Sequence, residues 1–367
     1  MKKKSHNDGG LEIETIVYDG QDEYATLEAS ARVVTDMRRA VDINEEFVEK
    51  GQTITPECNP GLGYILSVAP GVAAWMASAK ISPSLALDPF YMPGQATVGS
   101  IFKVDSASAE WLTNKPLCIA LRYRAKIETE LSLEHYLAQP KGAKVNSLVL
   151  AAGRGRYPLL AAAEAKKAGC EPHLTFVDID KKALHQIRAL ANDCDYQDIS
   201  LVDRDILDLK GFRYQNSLSR ALRRLATGSW PLDTPEEVRP RYYDIVSGIG
   251  ISMYIEDSVW QYPLPHKVLG RESAKKAGVE QLLGQMWRHV KPGGIMLVDA
   301  INQGEPDNFV GLQLKTIQTI GWKEMQQRSP EQVQRLISRA GIEPAKITRH
   351  ADPTGFFSVY KLQKPQA

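Results

Sequence analysis

Two rhythms of apolar residues divide the chain near residue 140. Before that point the apolar positions recur at helical spacing: Ala29, Val33, Met37, Val41 and Ile43 interleave with Arg32, Arg38 and Arg39, the stripe of an amphipathic helix over 22–50. A second helix is predicted over 65–80, ahead of a loop at 82–99 that carries Pro83, Pro89 and Pro93. More helix is expected at 106–112 and 114–137. After Pro140-Lys141-Gly142 the pattern changes to short apolar runs of the kind buried inside a parallel sheet. Strands are predicted near 145–151, 173–178, 198–203, 243–247 and 294–300. Helices near 157–169, 180–193, 215–227 and 277–290 fill the crossovers, which specifies a doubly wound, mostly parallel α/β sheet. A last helix near 330–340 and two strands near 343–348 and 356–362, joined by Asp352-Pro353-Thr354-Gly355, add an antiparallel C-terminal hairpin. The expected organisation is a disordered tail at 1–10, a mainly helical cap domain at 11–140 and the sheet domain at 141–367. The stretch between the third and fourth strands, with Trp230-Pro231 and Pro235, is longer than a crossover helix needs and reads as a surface insertion.

Composition narrows the function classes. With 43% hydrophobic and 24% charged residues the chain can bury a core of ordinary size. Lys and Arg number 45 against 44 for Asp and Glu, so no sustained positive field exists to hold a phosphate backbone, and nucleic acid is not expected as a partner. Cys58, Cys118, Cys170 and Cys194 are scattered, without the close pairs that zinc or redox sites require, and no His and carboxylate group has metal-ligand spacing; the cysteines read as reduced and no metal is expected. The N-terminus is basic and then polar with no apolar h-region, and the least polar stretch, 61–79, is interrupted by Pro70-Gly71, so a broken core helix is expected in place of a membrane span. These points make a cytoplasmic protein the expectation.

The chemistry concentrates where strands run into helices. Strand 145–150 leads directly into Ala151-Ala152-Gly153-Arg154-Gly155-Arg156-Tyr157-Pro158. Gly153 and Gly155 let the backbone turn tightly and approach a ligand, and the following helix offers free N–H groups at its start. The second strand ends in Asp178-Ile179-Asp180, 23 residues after Gly155. A carboxylate there can accept both ribose hydroxyls of an adenosine; Asp178 is assigned to the ribose and Asp180 to an N-cap, since Lys181 opens a helix. After the third strand, Asp205 is the expected adenine contact, with Ile206 beside it to pack on the ring.

These residues resemble the class I S-adenosylmethionine (SAM)-dependent methyltransferases, over roughly residues 140 to 362. The resemblance rests on the glycine loop Leu150 to Gly155, the strand end Val177-Asp178-Ile179, the pair Asp205-Ile206, and Tyr243-Asp244-Ile245-Val246-Ser247 with Val290-Lys291-Pro292-Gly293-Gly294 further on. It implies a Rossmann-like fold and SAM as co-substrate, held by Ala151, Gly153, Gly155, Asp178, Ile179, Asp205, Ile206 and Gly248. The family often carries an acid at the position of Ala151 and a third glycine near Tyr157; both are missing, so one of the family's contacts to the amino or carboxyl end of SAM has no counterpart here. The glutamate pair of protein arginine methyltransferases is replaced by Gly248-Ile249-Gly250, which argues against arginine methylation.

Catalytic candidates are Tyr254, Glu256 and His266. Methyl transfer is an in-line displacement at a sulfonium; it needs alignment, an electron-rich wall and sometimes a base. Tyr254 could supply the wall or pack in the core, and His266, in a loop between Pro263 and Pro265, could act as a base or be merely solvated. The expected function is methylation of a small metabolite in biosynthesis, with a small-molecule acceptor, neither nucleic acid nor membrane as partner, and a homodimer left open. The alternative is non-methyl use of SAM, by aminocarboxypropyl transfer or cyclisation releasing methylthioadenosine. A non-catalytic SAM-binding protein is a third reading.

Overall fold

The computed structural model describes residues 2–8, 11–18, 31–55, 58–81, 97–98, 102–204, 206, 242–255, 278–303, 309–319 and 325–366. The chain opens with strands β1 (Lys2–Asp8) and β2 (Leu11–Val17). Helices α1 (Ala31–Glu49), α2 (Pro60–Val68) and α3 (Val72–Ile81) follow, then a small hairpin of β3 (Thr97–Val98) and β4 (Phe102–Lys103), and helices α4 (Ser106–Thr113) and α5 (Pro116–Leu137). Next come β5 (Lys144–Leu150), α6 (Arg156–Lys167), β6 (Glu171–Asp178), α7 (Lys181–Asp193), β7 (Ile199–Asp203) and β8 (Tyr243–Gly248). The chain continues through α8 (Val279–His289), β9 (Val290–Asn302), α9 (Phe309–Thr319), β10 (Gln327–Arg328), α10 (Pro330–Arg339), β11 (Lys346–Ala351) and β12 (Phe357–Gln363).

The main sheet runs β1-β2-β11-β12-β9-β8-β5-β6-β7. Strands β5 to β9 are mutually parallel, whereas β12 is antiparallel to both β9 and β11. The parallel strands are buried along nearly their whole length, because helices cover both faces. On one face Leu159 and Ala165 of α6, Leu184 and Ile187 of α7, and Ile127 and Leu131 of α5 pack on Val149, Phe176 and Leu201. On the other, Leu282 and Met286 of α8 and Leu336 and Ile337 of α10 pack on Leu148, Val177 and Met296. A third cluster joins Val33 and Met37 of α1, Ile65 of α2 and Trp111 of α4 to Met253, Ile301, Phe356 and Phe357, so helices from the first part of the chain abut the carboxyl edge of the sheet.

Two features differ from the sequence expectation. Residues 2–8, expected in a disordered tail, form β1, and 11–17, expected in a helical region, form β2. Strand β2 pairs in parallel with β11, placing Ile13 opposite Ile347 and burying it. The terminal hairpin would otherwise leave β11 as an edge with unpaired backbone groups. Helix α5 also packs against α6 and β12 and so lies on the sheet itself. The expected insertion and the helix near 215–227 lie outside the described residues. Among the described residues no helix is long and apolar enough to cross a membrane.

Candidate functional site

The glycine loop leaves β5 under backbone constraint. Ala151, Gly153 and Gly155 have φ of 49°, 51° and 57°, the left-handed region. The two glycines do different work. A Cβ on Gly155 would lie 2.7 Å from Phe176 Cε1 and 3.0 Å from Ile187 Cδ1, so this glycine lets α6 close onto β6 and α7. A Cβ on Gly153 would meet nothing within 4 Å. The loop therefore bends toward open space at Gly153, where a ligand can approach the backbone. Helix α6 begins at Gly155 with no side-chain cap and no acid in its first turn, and Pro158 stands where an amide hydrogen has no intrahelical partner to lose.

Asp178 ties this loop to the neighbouring strand. Its Oδ2 accepts the Gly153 N–H at 2.9 Å and its Oδ1 accepts the Asp180 N–H at 2.8 Å. Burial raises its pKa, opposed by those amide donors. Each carboxylate oxygen keeps acceptor capacity beyond these bonds, enough for a pair of hydroxyls. Ile179 beside it is 71% exposed, an apolar face next to the loop opening. Asp180 is the N-cap of α7, its Oδ1 accepting the Lys182 N–H at 2.9 Å. Ile206 is buried in the core with Val177 and Val202. Gly248 ends β8, and a Cβ there would lie 2.8 Å from Met286 Cε, so core packing accounts for that glycine. The residues at the loop opening suit an adenosyl group: an open backbone cradle, a carboxylate for hydroxyls and an exposed apolar side chain.

The segment after β8, expected to face the acceptor, is described through Ile255. Tyr254 ends the short 3-10 turn Ser252–Tyr254; its side chain, and Asp205, Glu256 and His266 entirely, lie outside the described residues. What holds the turn is a set of buried charges that sequence reasoning missed. Asp299 of β9 accepts the Gly250 N–H at 2.9 Å through Oδ1 and a guanidinium N–H of Arg124 at 3.0 Å through Oδ2. The Ser252 hydroxyl donates to the Asp299 carbonyl at 2.5 Å. Arg328 of β10 donates to the carbonyls of Ser252 at 3.0 Å and Ile255 at 2.7 Å. One turn further along α5, Glu128 accepts from the Ser247 hydroxyl at 2.5 Å. Burial pushes the Glu128 pKa up to about 7 and raises that of Asp299, while the Arg124 charge opposes both shifts. No local motif marks these residues, since the partners lie 47 to 175 positions apart in sequence.

The amino edge offers no comparable site. A cavity of about 330 Å³ there is lined by Lys144, Asn146, Glu171, His173, Thr175, Asp198 and Tyr242. His173 bridges Asp198 at 2.6 Å and Ser200 at 3.1 Å, a polar clasp between β6 and β7 at the end of the sheet opposite the glycine loop. Among the described residues no group of three His, Cys, Asp or Glu side chains could hold a metal ion.

No family model matches the sequence, and no curated protein matches it. Among solved structures, a possible exported protein from Bordetella parapertussis aligns with a TM-score of 0.56 at 16% identity, over 94% of this chain and 99% of that one. Magnesium protoporphyrin IX methyltransferase from Synechocystis PCC 6803 aligns with a TM-score of 0.44 at 10% identity, over 79% and 99%. The CMeT domain of the citrinin polyketide synthase gives 0.45 at 10% identity, over 92% and 90%. The parallel strands in the order β7-β6-β5-β8-β9, continued by an antiparallel C-terminal hairpin, decide the fold. It is a Rossmann-like fold. In that fold the glycine loop after β5 stands at the switch point, where strand order reverses between β6 and β8 and ligands bind.

Proposed function

We propose that this protein is a SAM-dependent methyltransferase acting on a small-molecule acceptor in the cytoplasm. The observation that carries the reading is the latch between Asp178 and Gly153, which fixes the one glycine of the loop that opens on empty space. Ala151, Gly153, Asp178 and Ile179 would hold the co-substrate, with Asp205 as the adenine contact. SAM supplies an activated methyl group on a sulfonium. The protein's task is to align an acceptor atom with that group and keep water away. The first purpose belongs to the turn at 249–255 and the second to the helices that abut the carboxyl edge. Tyr254, Glu256 and His266 are proposed as the acceptor-facing groups.

A second reading is favoured by one observation. Ala151 places a methyl group where the family often has an acid, and so leaves the aminocarboxypropyl end of SAM without that contact. Transfer from that chain would release methylthioadenosine. The test is to incubate the purified protein with SAM alone and then with a cell extract, and to identify the nucleoside product by mass spectrometry. S-adenosylhomocysteine that forms only with extract supports methyl transfer. Methylthioadenosine replaces it with the second reading, and binding without any product makes the protein a SAM-binding protein.

A further inference from the structure

The charges around the turn at 249–255 extend the reading of the acceptor site, on which this inference rests. Backbone groups of the turn face two side chains brought from distant elements, Asp299 and Arg328. Gly250 presents its N–H to Asp299, and Ser252 and Ile255 present their carbonyls to Arg328. The Asp299 side chain is fully buried and that of Arg124 is 8% exposed, so Asp299 has no access to a substrate and can act only through what it holds. Gly250 has φ of 88°, and a Cβ there would stand 3.4 Å from the Arg124 guanidinium. The turn thus fits closely against the ion pair. Arg124 also lies over the Phe357 ring, 4.7 Å from its centroid, and Phe357 belongs to the cluster in which the first helices meet the carboxyl edge.

We propose that Asp299, braced by Arg124, is a positioning residue for the transfer reaction: it sets the height of the turn at 249–255 relative to the glycine loop. Ser247 starts this approach one residue before Gly248, and it pairs across the sheet with Val149, two residues before Ala151. A shift of the turn therefore changes the spacing between the two halves of the site. Displacement by about 1 Å costs up to about 100-fold in rate when two reacting groups must align. It leaves the adenosyl contacts at Asp178 and Gly153 unchanged, because these depend on β5 and β6.

Two variants test this. Asp299→Asn keeps the shape and an acceptor for Gly250 but removes the charge that holds Arg124. Gly250→Ala strains the turn without altering the buried pair. Both should lower the rate of S-adenosylhomocysteine formation in extract at saturating SAM by about 10-fold or more. The KM for SAM and the affinity for S-adenosylhomocysteine should stay within about 3-fold of the parent. Amide exchange should speed up in peptides spanning 249–255 and not in those spanning 151–178. Equal losses in SAM affinity and rate, or an unchanged rate with both variants, overturn the proposal. If the parent gives no product with SAM and extract, the functional reading fails by itself; amide exchange then decides whether Asp299 positions the turn, and unchanged exchange in Asp299→Asn refutes that too.

Discussion

The two halves of the site are held by different means. The glycine loop after β5 is fixed by local backbone conformation and by one carboxylate 25 residues away, Asp178, which binds amides on the loop and on its own strand end. The turn after β8 is fixed by buried charges from α5, β9 and β10. The first arrangement uses a single carboxylate whose bonds are made to backbone amides. The second works only when buried, since an ion pair in water contributes little, and it carries the cost of desolvating Asp299, Arg124 and Glu128. The half proposed for the adenosyl group thus rests on local backbone geometry, and the half proposed for the acceptor on charges gathered from distant elements.

The sharpest way to break the comparison is within the loop itself, by separating packing from access. Gly155→Ala should lose roughly 2–4 kcal/mol of unfolding free energy, from a left-handed backbone and from a Cβ forced against Phe176 and Ile187. Gly153→Ala meets no atom, so it should cost only about 1 kcal/mol, yet weaken SAM binding more than its stability loss suggests. Urea denaturation and calorimetry of both variants check the pair; equal stability losses would mean that the space around Gly153 is not open. Asp178→Ala should weaken SAM binding by about 1–3 kcal/mol through loss of the hydroxyl acceptor and release of the loop amide.

The acceptor half has its own signature, in pH. Burial raises the Glu128 pKa from 4.5 to about 7, so the folded protein holds a proton there that the unfolded chain releases above pH 4.5. Its contribution to stability is fully present below pH 4.5 and is lost as pH rises through about 7. His135 and His350 act in the opposite sense: burial lowers both to about 4, and each costs stability as pH falls below 6.5. Comparing Glu128→Gln with the parent at each pH cancels the histidines. The variant should match the parent at pH 4.5 and exceed it by about 1–3 kcal/mol at pH 8. A constant difference across that range would place Glu128 in contact with water.

The same contrast explains what the sequence made legible. The strand and helix alternation from 144 onward, apart from the helix near 215–227, which lies outside the described residues, the N-cap role of Asp180 and the terminal hairpin follow from local periodicity and capping chemistry and are present in the structure. The loop was legible because positive φ favours glycine and because a carboxylate at a strand end stands out. Arg124, Glu128 and Asp299 were not, since on α5 and β9 they look like ordinary polar positions until folding brings them together. Strand β2 was missed for a related reason: Leu11, Ile13, Ile16 and Val17 do not alternate cleanly, and what orders them is the open edge of β11.

Ala151 gives the smallest expected effect and the most direct reading of the loop. It is a non-glycine residue at φ of 49°, a conformation that costs an L-residue about 1–2 kcal/mol. Ala151→Gly relieves that strain and gives back about 0.4–1 kcal/mol through the greater freedom of glycine in the unfolded chain. The net gain in stability should be near 0.5 kcal/mol by urea denaturation. Affinity for S-adenosylhomocysteine discriminates between two origins of the strain. If the methyl group only replaces an acid that this chain does not need, affinity should hold while stability rises. If the left-handed alanine stiffens the loop so that Gly153 keeps its place against Asp178, affinity should fall as stability rises, and the strain belongs to binding.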